Sequence, residues 1–291
     1  MMGAYSELRA TRIMNTFDIK ELETEGRVYV PYPPELRIGV EEAVGAWKEF
    51  CALPEEMKVR FSYDPDAKTS GNGYELKKGS SFDLKENVHL RVNAQEMLLE
   101  RARAVDDVVA PRFVEKALAL NGLMGPLLRA FAEGVEREYG IPGFADDVMA
   151  KQPDWLIRFL HYFGDREPGE EIATPHTDKG GFTLHLYESA PGVERLTYDK
   201  KWVEMPLPGG KTVIIPGMGL QNRSRCRLKA TCHRVVATEE TAQTGRFSAV
   251  CFLNFRNARY FDKSRFGAQQ EWAPGAFYDM PFEEFDTFFI D

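Results

Sequence analysis

The 291-residue sequence has little of several features, and each shortage excludes a class of protein. Cysteines are too few and too scattered for the disulfide framework of a small secreted protein. The sequence also contains no CxxC pair, which a structural zinc site commonly uses. No apolar run approaches the roughly 20 residues of a membrane-spanning helix, and the first residues contain no apolar segment typical of a signal peptide. We therefore expect a cytoplasmic protein. The cysteines are Cys51, Cys226, Cys232 and Cys251.

Basic residues are also in the minority, with 37 Lys and Arg against 45 Asp and Glu, so the net charge is −8. An acidic surface disfavours non-specific binding to nucleic acid or to an anionic membrane. Hydrophobic residues make up 43% of the sequence and charged residues 28%, which is ordinary for a globular protein with a sizeable core. The sequence predicts neither a nucleic-acid nor a membrane partner, and it gives no indication of the oligomeric state.

Two regions of the sequence differ in their predicted secondary structure. In residues 1–150, the apolar spacing at 38–51 and 95–139 predicts helices, a short strand is predicted at 27–30, and residues 64–82 are predicted to form a loop. In residues 151–291, short runs rich in β-branched and aromatic residues alternate with turn residues, which is typical of a sandwich or barrel. We predict a helical N-terminal region and a β C-terminal region that share one core.

The stretch "TPHTDKGGFTLHLYE" contains a His-x-Asp pair, His176 and Asp178. Residues two apart in a strand share one face, so both side chains can reach one ion. His233, in "KATCHRVVAT", is the best candidate for a third ligand. Two imidazoles and one carboxylate that leave other coordination positions open suit non-haem iron(II) in oxygen chemistry. A His-x-Asp pair alone is also compatible with an ordinary strand that carries two polar residues.

A second pair of polar residues follows in "GRFSAV", where Arg246 and Ser248 are again two apart on a predicted strand. A guanidinium can bind a carboxylate through two parallel hydrogen bonds, and a hydroxyl adds a further donor. Tyr162, on an earlier predicted strand, can add another donor to the same carboxylate. The alternative is a surface arginine beside a half-buried serine.

The order of these features resembles the iron(II)- and 2-oxoglutarate-dependent oxygenases, in the branch that includes isopenicillin N synthase and the plant hormone and flavonoid oxygenases. The segments "AWKEFCALPEEMKVRF", "GYELKKGSSFDLKENVHL" and "RLKATCHRVV" also resemble segments of that branch. The sequence departs from the branch at Leu160, where an asparagine is frequent, and at Phe163 and Lys179, where prolines are frequent.

The resemblance implies an α+β fold, with a double-stranded β-helix (a cupin-like jelly roll) over residues 151–291 backed by helices from residues 1–150. It implies an oxygenase that uses Fe(II), 2-oxoglutarate and O2 to hydroxylate or otherwise oxidise a small-molecule substrate, with release of succinate and CO2. Iron would be bound by His176, Asp178 and His233, and the far carboxylate of 2-oxoglutarate by Arg246, Ser248 and Tyr162. Two alternatives stay open: an iron oxidase or cyclase of the isopenicillin N synthase type that does not use 2-oxoglutarate, and a non-catalytic cupin-like metal-binding module.

Polar residues on the run Phe182–Glu188 are candidates for contact with the substrate. Thr183, His185 and Tyr187 alternate with leucines, so they share one face of a strand. In a jelly roll that face lines the cavity. The alternative is an edge strand with a solvent-facing histidine.

Basic residues alternate strictly in "NRSRCRLK", and we call this set the basic stripe: Arg223, Arg225, Arg227 and Lys229. A regular strand would place all four on the face of His233. The stripe is then either solvated surface or a cationic mouth that attracts an anionic substrate. In the second case Arg227 and Lys229, the nearest to His233 in sequence, would contact the substrate.

Overall fold

The computed structural model describes residues 17–62, 71–77, 84–106, 108–265 and 273–291. Its main sheets are antiparallel, in the orders β1-β9-β6-β11-β4-β3-β2 and β5-β10-β7-β8, and a ribbon pairs β12 with β13. The strands are β1 (Val28–Pro31), β2 (Gly73–Lys77), β3 (Lys85–Leu90), β4 (Leu156–Tyr162), β5 (Glu171–Thr177), β6 (Phe182–Glu188), β7 (Val193–Leu196), β8 (Trp202–Glu204), β9 (Lys211–Pro216), β10 (Cys232–Val236), β11 (Arg246–Leu253), β12 (Tyr260–Phe261) and β13 (Phe289–Ile290). The expected α+β jelly roll is confirmed.

Helices cover one face of the larger sheet. Trp47 and Phe113 project from two of these helices, and their rings lie 6.3 and 5.1 Å from that of Phe159 on β4. Among the described residues, none of the helices combines the length and the apolar character needed to cross a bilayer. The α-helices are Glu21–Glu25, Pro34–Cys51, Glu55–Lys58, Gln95–Val105, Val109–Tyr139, Phe144–Met149, Met218–Arg223, Thr241–Thr244 and Phe282–Asp286.

The other face of the larger sheet packs on the smaller sheet. Because side chains alternate along a strand, Phe159 points to the helices while Leu160 and Tyr162 join a cluster with Ile172 of β5 and Val235 of β10. This inner face forms the interior of the jelly roll. His176, His233, Tyr162, Arg246 and Ser248 lie on strands that border it, and Asp178 directly follows β5.

The predicted loop at residues 64–82 is wrong in part, because it contains β2. Residues 63–70 and 78–83 lie outside the described part of the chain. β2 begins at Gly73, whose φ is +117°, and an added Cβ would lie 2.6 Å from the carbonyl oxygen of Phe61. Tyr74 follows and is buried. β2 and β3 extend the larger sheet, so the N-terminal region contributes strands as well as helices.

The helical pattern predicted over residues 95–139 forms two helices, Gln95–Val105 and Val109–Tyr139, with Asp106 between them. Its carboxylate accepts hydrogen bonds from the backbone N–H groups of Val108 (2.7 Å) and Val109 (2.5 Å). An acidic residue that accepts such bonds starts a new helix, because it satisfies N–H groups that lack partners in the first turn. The apolar periodicity continues across this break and therefore did not reveal it.

A buried ion pair links the helices to the edge of the larger sheet. Lys58 Nζ lies 2.7 Å from Glu86 Oε2, which also accepts a hydrogen bond from the Tyr74 hydroxyl at 2.9 Å, and His161 Nδ1 lies 2.8 Å from the other carboxylate oxygen. Burial alone would raise the pKa of Glu86, but the hydrogen bonds and the charge of Lys58 lower its pKa to about 2. The carboxylate is therefore held in its charged form.

We expect Lys58→Met to lower the free energy of unfolding at neutral pH by about 3–5 kcal/mol, because Glu86 would stay buried without its cation. Urea unfolding at several pH values measures this. Since the folded pKa of Glu86 lies below its ordinary value, the pair stabilises fully above about pH 5 and loses its effect as the pH falls towards 2. The difference between the two proteins should shrink in that range.

The matched control is Lys116→Met, which removes the lysine of an exposed pair with Glu42, 2.8 Å apart. Exposed pairs contribute about 0–1 kcal/mol. Equal losses in the two variants would show that the Lys58–Glu86 pair contributes no more than a surface contact.

Candidate active site

Three side chains that can bind a metal meet where β5 and β10 pair. His176 on β5 lies directly opposite His233 on β10, and Asp178 follows the end of β5. The two imidazole centroids are 4.3 Å apart, and His176 Nε2 lies 3.9 Å from Asp178 Oδ1. One potential ligand atom from each residue lies within 4.8 Å of the other two. The antiparallel register therefore joins a sequence-local pair to a third residue 55 positions beyond Asp178.

Backbone carbonyls orient both histidines. His176 Nδ1 lies 2.7 Å from the Thr174 carbonyl oxygen, and His233 Nδ1 lies 3.1 Å from that of Thr231. Since a carbonyl only accepts, each Nδ1 carries the proton, and each Nε2 keeps a free lone pair. This is the tautomer and orientation that a metal ligand needs.

Asp178 is held as a buried carboxylate. The Thr183 hydroxyl donates a hydrogen bond of 2.6 Å to Oδ2, which leaves Oδ1 on the side of His176. Burial would raise the pKa of Asp178, but His233, His176 and the Thr183 hydroxyl lower it below its ordinary value. Burial and the charge of His176 lower the pKa of His233 to about 4. A charged carboxylate beside two imidazoles with free Nε2 atoms matches the donor set of a divalent iron.

Arg246, Ser248 and Tyr162 lie on the paired strands β11 and β4. Arg246 is opposite Tyr162 and only 1% exposed. Its Nη2 donates to the Ala190 carbonyl oxygen at 2.9 Å, while Nε and Nη1 are buried and have no hydrogen-bond partner among the described residues. Buried donors without acceptors are costly, so this guanidinium fits a ligand that supplies acceptor oxygens, such as a carboxylate.

Comparison with known families finds a match to part of the chain. Residues 155–255, which include the three potential metal ligands and Arg246, match the family model of the 2OG-Fe(II) oxygenase superfamily. The chain contains a 2OG-Fe(II) oxygenase domain. The predicted enzyme class is thereby confirmed, and Fe(II), 2-oxoglutarate and O2 are the cofactors of this superfamily. A search of curated proteins finds no match.

Solved structures with a similar fold align with most of this chain. A 2OG-Fe(II) oxygenase family protein from Caulobacter crescentus is 24% identical, with a TM-score of 0.66 over 87% of this chain and 85% of that chain. The dioxygenase for auxin oxidation 1 from Arabidopsis thaliana, solved with 2-oxoglutarate, is 22% identical, with a TM-score of 0.65 over 89% and 93%. A Neurospora crassa protein solved with alpha-KG and thymine is 18% identical, with a TM-score of 0.64 over 96% and 90%.

On β6, the first two predicted substrate contacts lie near the three potential metal ligands. Thr183 is buried against Asp178, as described above. His185 is 4% exposed, and its ring centroid lies 6.3 Å from that of His233. Both residues therefore border the site of the oxygenase.

The third predicted contact on β6 faces the other way, because a β-bulge interrupts the pairing with β11. Beyond the bulge, Tyr187 lies opposite Ala249 and packs against the core on the helix side. The prediction that Tyr187 shares the interior face with His185 is wrong. A bulge inserts one extra residue and so reverses the faces of the residues that follow it.

Glu188, which the sequence did not single out, takes the interior position opposite Ser248. Its side chain is 6% exposed, and Oε2 lies 3.3 Å from Arg246 Nη2. The alternation of polar and apolar residues along β6 predicts the opposite face for this residue. The one indication in the sequence was that an acidic residue ends a strand predicted to line the cavity.

The basic stripe does not form a strand. Residues Met218–Arg223 are helical, and Arg225 and Cys226 follow with φ values of 52° and 62°. The prediction that the four cations share the face of His233 is therefore wrong. Strict alternation over this stretch reflects a helix end and a turn, in which side chains two apart do not share a face.

Arg227 and Lys229 lie beside acidic and aromatic side chains that are not among the potential metal ligands. Arg227 Nη2 lies 3.3 Å from Glu23 Oε2, and Lys229 Nζ lies 3.9 Å from Asp279 Oδ1. The guanidinium of Arg227 also lies over the ring of Tyr139. The structure therefore gives no geometric support for the prediction that Arg227 and Lys229 contact the substrate.

A different arginine reaches the interior near the potential metal ligands. Arg195 on β7 lies opposite His233 in the antiparallel register, so both side chains project from the same face. It is 7% exposed, its Nη2 lies 2.6 Å from Glu25 Oε2, and its Nε is buried without a partner among the described residues. Sequence reasoning missed Arg195 because nothing local connects β7 to β10.

A second group of potential ligands, Cys51, Glu86 and His161, does not suit a metal. The ammonium group of Lys58 already neutralises Glu86, and burial raises the pKa of the Cys51 thiol well above its usual range. A metal ligand needs the thiolate. This group belongs to the structural ion pair described above.

Proposed function

We propose that the chain is an Fe(II)- and 2-oxoglutarate-dependent oxygenase of a small molecule that uses the residues of this site. His176, Asp178 and His233 bind the iron, and Arg246, with Ser248 and Tyr162, binds the far carboxylate of 2-oxoglutarate. The observation that carries the proposal is the combination of two imidazoles with free Nε2 atoms, a buried carboxylate and a buried arginine, two of whose nitrogens have no partner in the described part of the chain.

When bound, iron and 2-oxoglutarate supply the oxidising chemistry, in which the co-substrate is converted to succinate and CO2. The protein fixes geometry and excludes water. Thr183 holds the Asp178 carboxylate, and the Thr174 and Thr231 carbonyls hold the imidazoles, so the three ligands need little reorganisation when the metal binds. Arg246 binds the co-substrate in a desolvated setting, where a charged hydrogen bond is strong.

The substrate that we propose carries an acidic group, which was one of the two alternatives for the basic stripe, but a different residue recognises it. Arg195 projects from the face of His233, whereas the basic stripe does not. Its unpartnered Nε can donate to a substrate carboxylate, and Glu25 balances its charge when no substrate is bound. A small acid is therefore favoured over a neutral compound.

The experiment is a substrate search with small carboxylic acids, each tested beside its own amide. Succinate release and O2 consumption are measured with Fe(II) and 2-oxoglutarate present. We expect at least one acid to raise both rates while its amide does not, and Arg195→Met to raise the KM for that acid. An amide that serves as well as the acid would remove the role of Arg195.

The same measurements separate the alternatives. O2 consumption without succinate release would indicate an oxidase that does not use 2-oxoglutarate. A protein that consumes no O2 with any compound, and binds metal only, would match a non-catalytic cupin-like module.

A further inference from the structure

We propose that Glu188 limits the affinity of this oxygenase for 2-oxoglutarate, because its carboxylate competes with the co-substrate's far carboxylate for Arg246. The inference rests on the proposed function, in which Arg246 binds that carboxylate. It concerns a residue that neither the sequence motifs nor the superfamily resemblance assigned to the site.

The first observation is the position of the Glu188 carboxylate. Its Oε2 lies 3.3 Å from Arg246 Nη2, and its Oε1 lies 3.6 Å from His185 Nδ1. On the paired strand, Ser248 lies directly opposite Glu188. Glu188 therefore contacts or adjoins two of the residues that we propose for co-substrate binding.

The second observation is that the carboxylate is incompletely satisfied. The Glu188 side chain is 6% exposed, and Oε1 has no hydrogen-bond partner among the described residues. Arg246 is also incompletely satisfied, since its Nε and Nη1 have no hydrogen-bond partner within the part of the chain that the structure describes. A glutamate placed only to neutralise the arginine would be expected to use more of these donors and acceptors.

Binding of 2-oxoglutarate brings a second carboxylate to the same guanidinium. Two carboxylates a few ångströms apart in a desolvated site repel strongly, even though one arginine attracts both. Lys85 on β3 also borders the site. It lies opposite Tyr162 on β4, and its Nζ is 5.3 Å from the tyrosine ring centroid. It attracts both carboxylates, so it does not remove their mutual repulsion.

Glu188 could instead serve only as a support that orients Arg246. The two roles predict opposite signs. Loss of a competitor makes 2-oxoglutarate bind more tightly, whereas loss of a support makes it bind more weakly. The sign of the change therefore decides between them.

The experiment is calorimetric titration of the Fe(II)-loaded protein with 2-oxoglutarate without oxygen, so that binding is read independently of turnover. We expect Glu188→Gln to lower the Kd for 2-oxoglutarate by about tenfold or more. The Kd for 2-oxopentanoate, which has the same chain length without the far carboxylate, should change much less. Glu188→Ala serves as a second variant and should change each of these Kd values in the same direction as Glu188→Gln does.

The matched control is Glu194→Gln, which removes the same charge from another glutamate paired with an arginine. Glu194 lies 2.7 Å from Arg234, on the opposite face of the smaller sheet from His233. It should leave the Kd for 2-oxoglutarate unchanged. An equal gain in this variant would show a general effect of net charge and would overturn the inference.

The remaining outcomes separate the inference from the function beneath it. If wild type binds 2-oxoglutarate and both Glu188 variants bind it equally or more weakly, Glu188 is not a competitor and the inference fails alone. If neither wild type nor any variant binds 2-oxoglutarate, the proposed function fails as well.

Discussion

His233→Ala is expected to bind no Fe(II) at concentrations that saturate the wild type, and to release no succinate. His233 supplies one of only three protein ligands in the proposed centre, and its Nε2 is oriented by the Thr231 carbonyl. Loss of a residue that only supports a ligand costs about 10–100-fold in metal affinity, so loss of the ligand itself should exceed that range. Anaerobic titration with Fe(II), or with Co(II) as a spectroscopic substitute, measures the affinity.

Two further variants sharpen this test. Thr183→Val keeps all three ligands but removes the hydrogen bond to Asp178, so its affinity for the metal should fall by about 10–100-fold. His89→Gln is the control, because it alters a buried histidine on β3 that is not among the potential ligands. Wild-type metal affinity in His233→Ala would remove the proposed iron site.

Arg246→Met is expected to weaken the binding of 2-oxoglutarate strongly while leaving Fe(II) binding nearly intact. Truncation of one partner in a buried, charge-assisted pair costs about 2–5 kcal/mol, which corresponds to an increase of about 30-fold or more in Kd. The methionine keeps much of the buried volume of a side chain that is 1% exposed. Calorimetric titration without oxygen measures the Kd directly.

Arg234→Met is the matched control for Arg246. Arg234 also forms ion pairs, with Glu171 and Glu194, but it lies on the opposite face of β10 from His233. Its replacement should leave the affinity for 2-oxoglutarate unchanged. If Arg246→Met retained the wild-type Kd, the far carboxylate would have to bind elsewhere.

The sequence by itself determined the fold class and the residues that can hold the metal. Apart from His233, both depend on information that is local along the chain. The period of apolar residues separates helices from strands, and a spacing of two places His176 near Asp178, and Arg246 near Ser248, on one face of each strand. Because the ordered set resembles one family, it also indicated His233, which the antiparallel register brings opposite His176.

Strand pairing decided what spacing could not reveal. Arg195 comes to the face of His233 only through the register of β7 with β10. The basic stripe was predicted to share the face of His233 but does not. Its alternation has the spacing of a strand, while the chain forms a helix end and a turn there. Alternation is informative only where the backbone is extended, and contacts distant in sequence determine where that holds.

The identity of the acidic residue beside Arg246 also depended on tertiary structure. Without a bulge in β6, Tyr187 would face the interior and Glu188 the helices. At the bulge, the Leu186 carbonyl accepts a hydrogen bond from the hydroxyl of Tyr32, 154 residues earlier in the chain. One extra residue reverses the face of every side chain that follows it in the strand, and no local pattern records whether a distant partner is present to stabilise it.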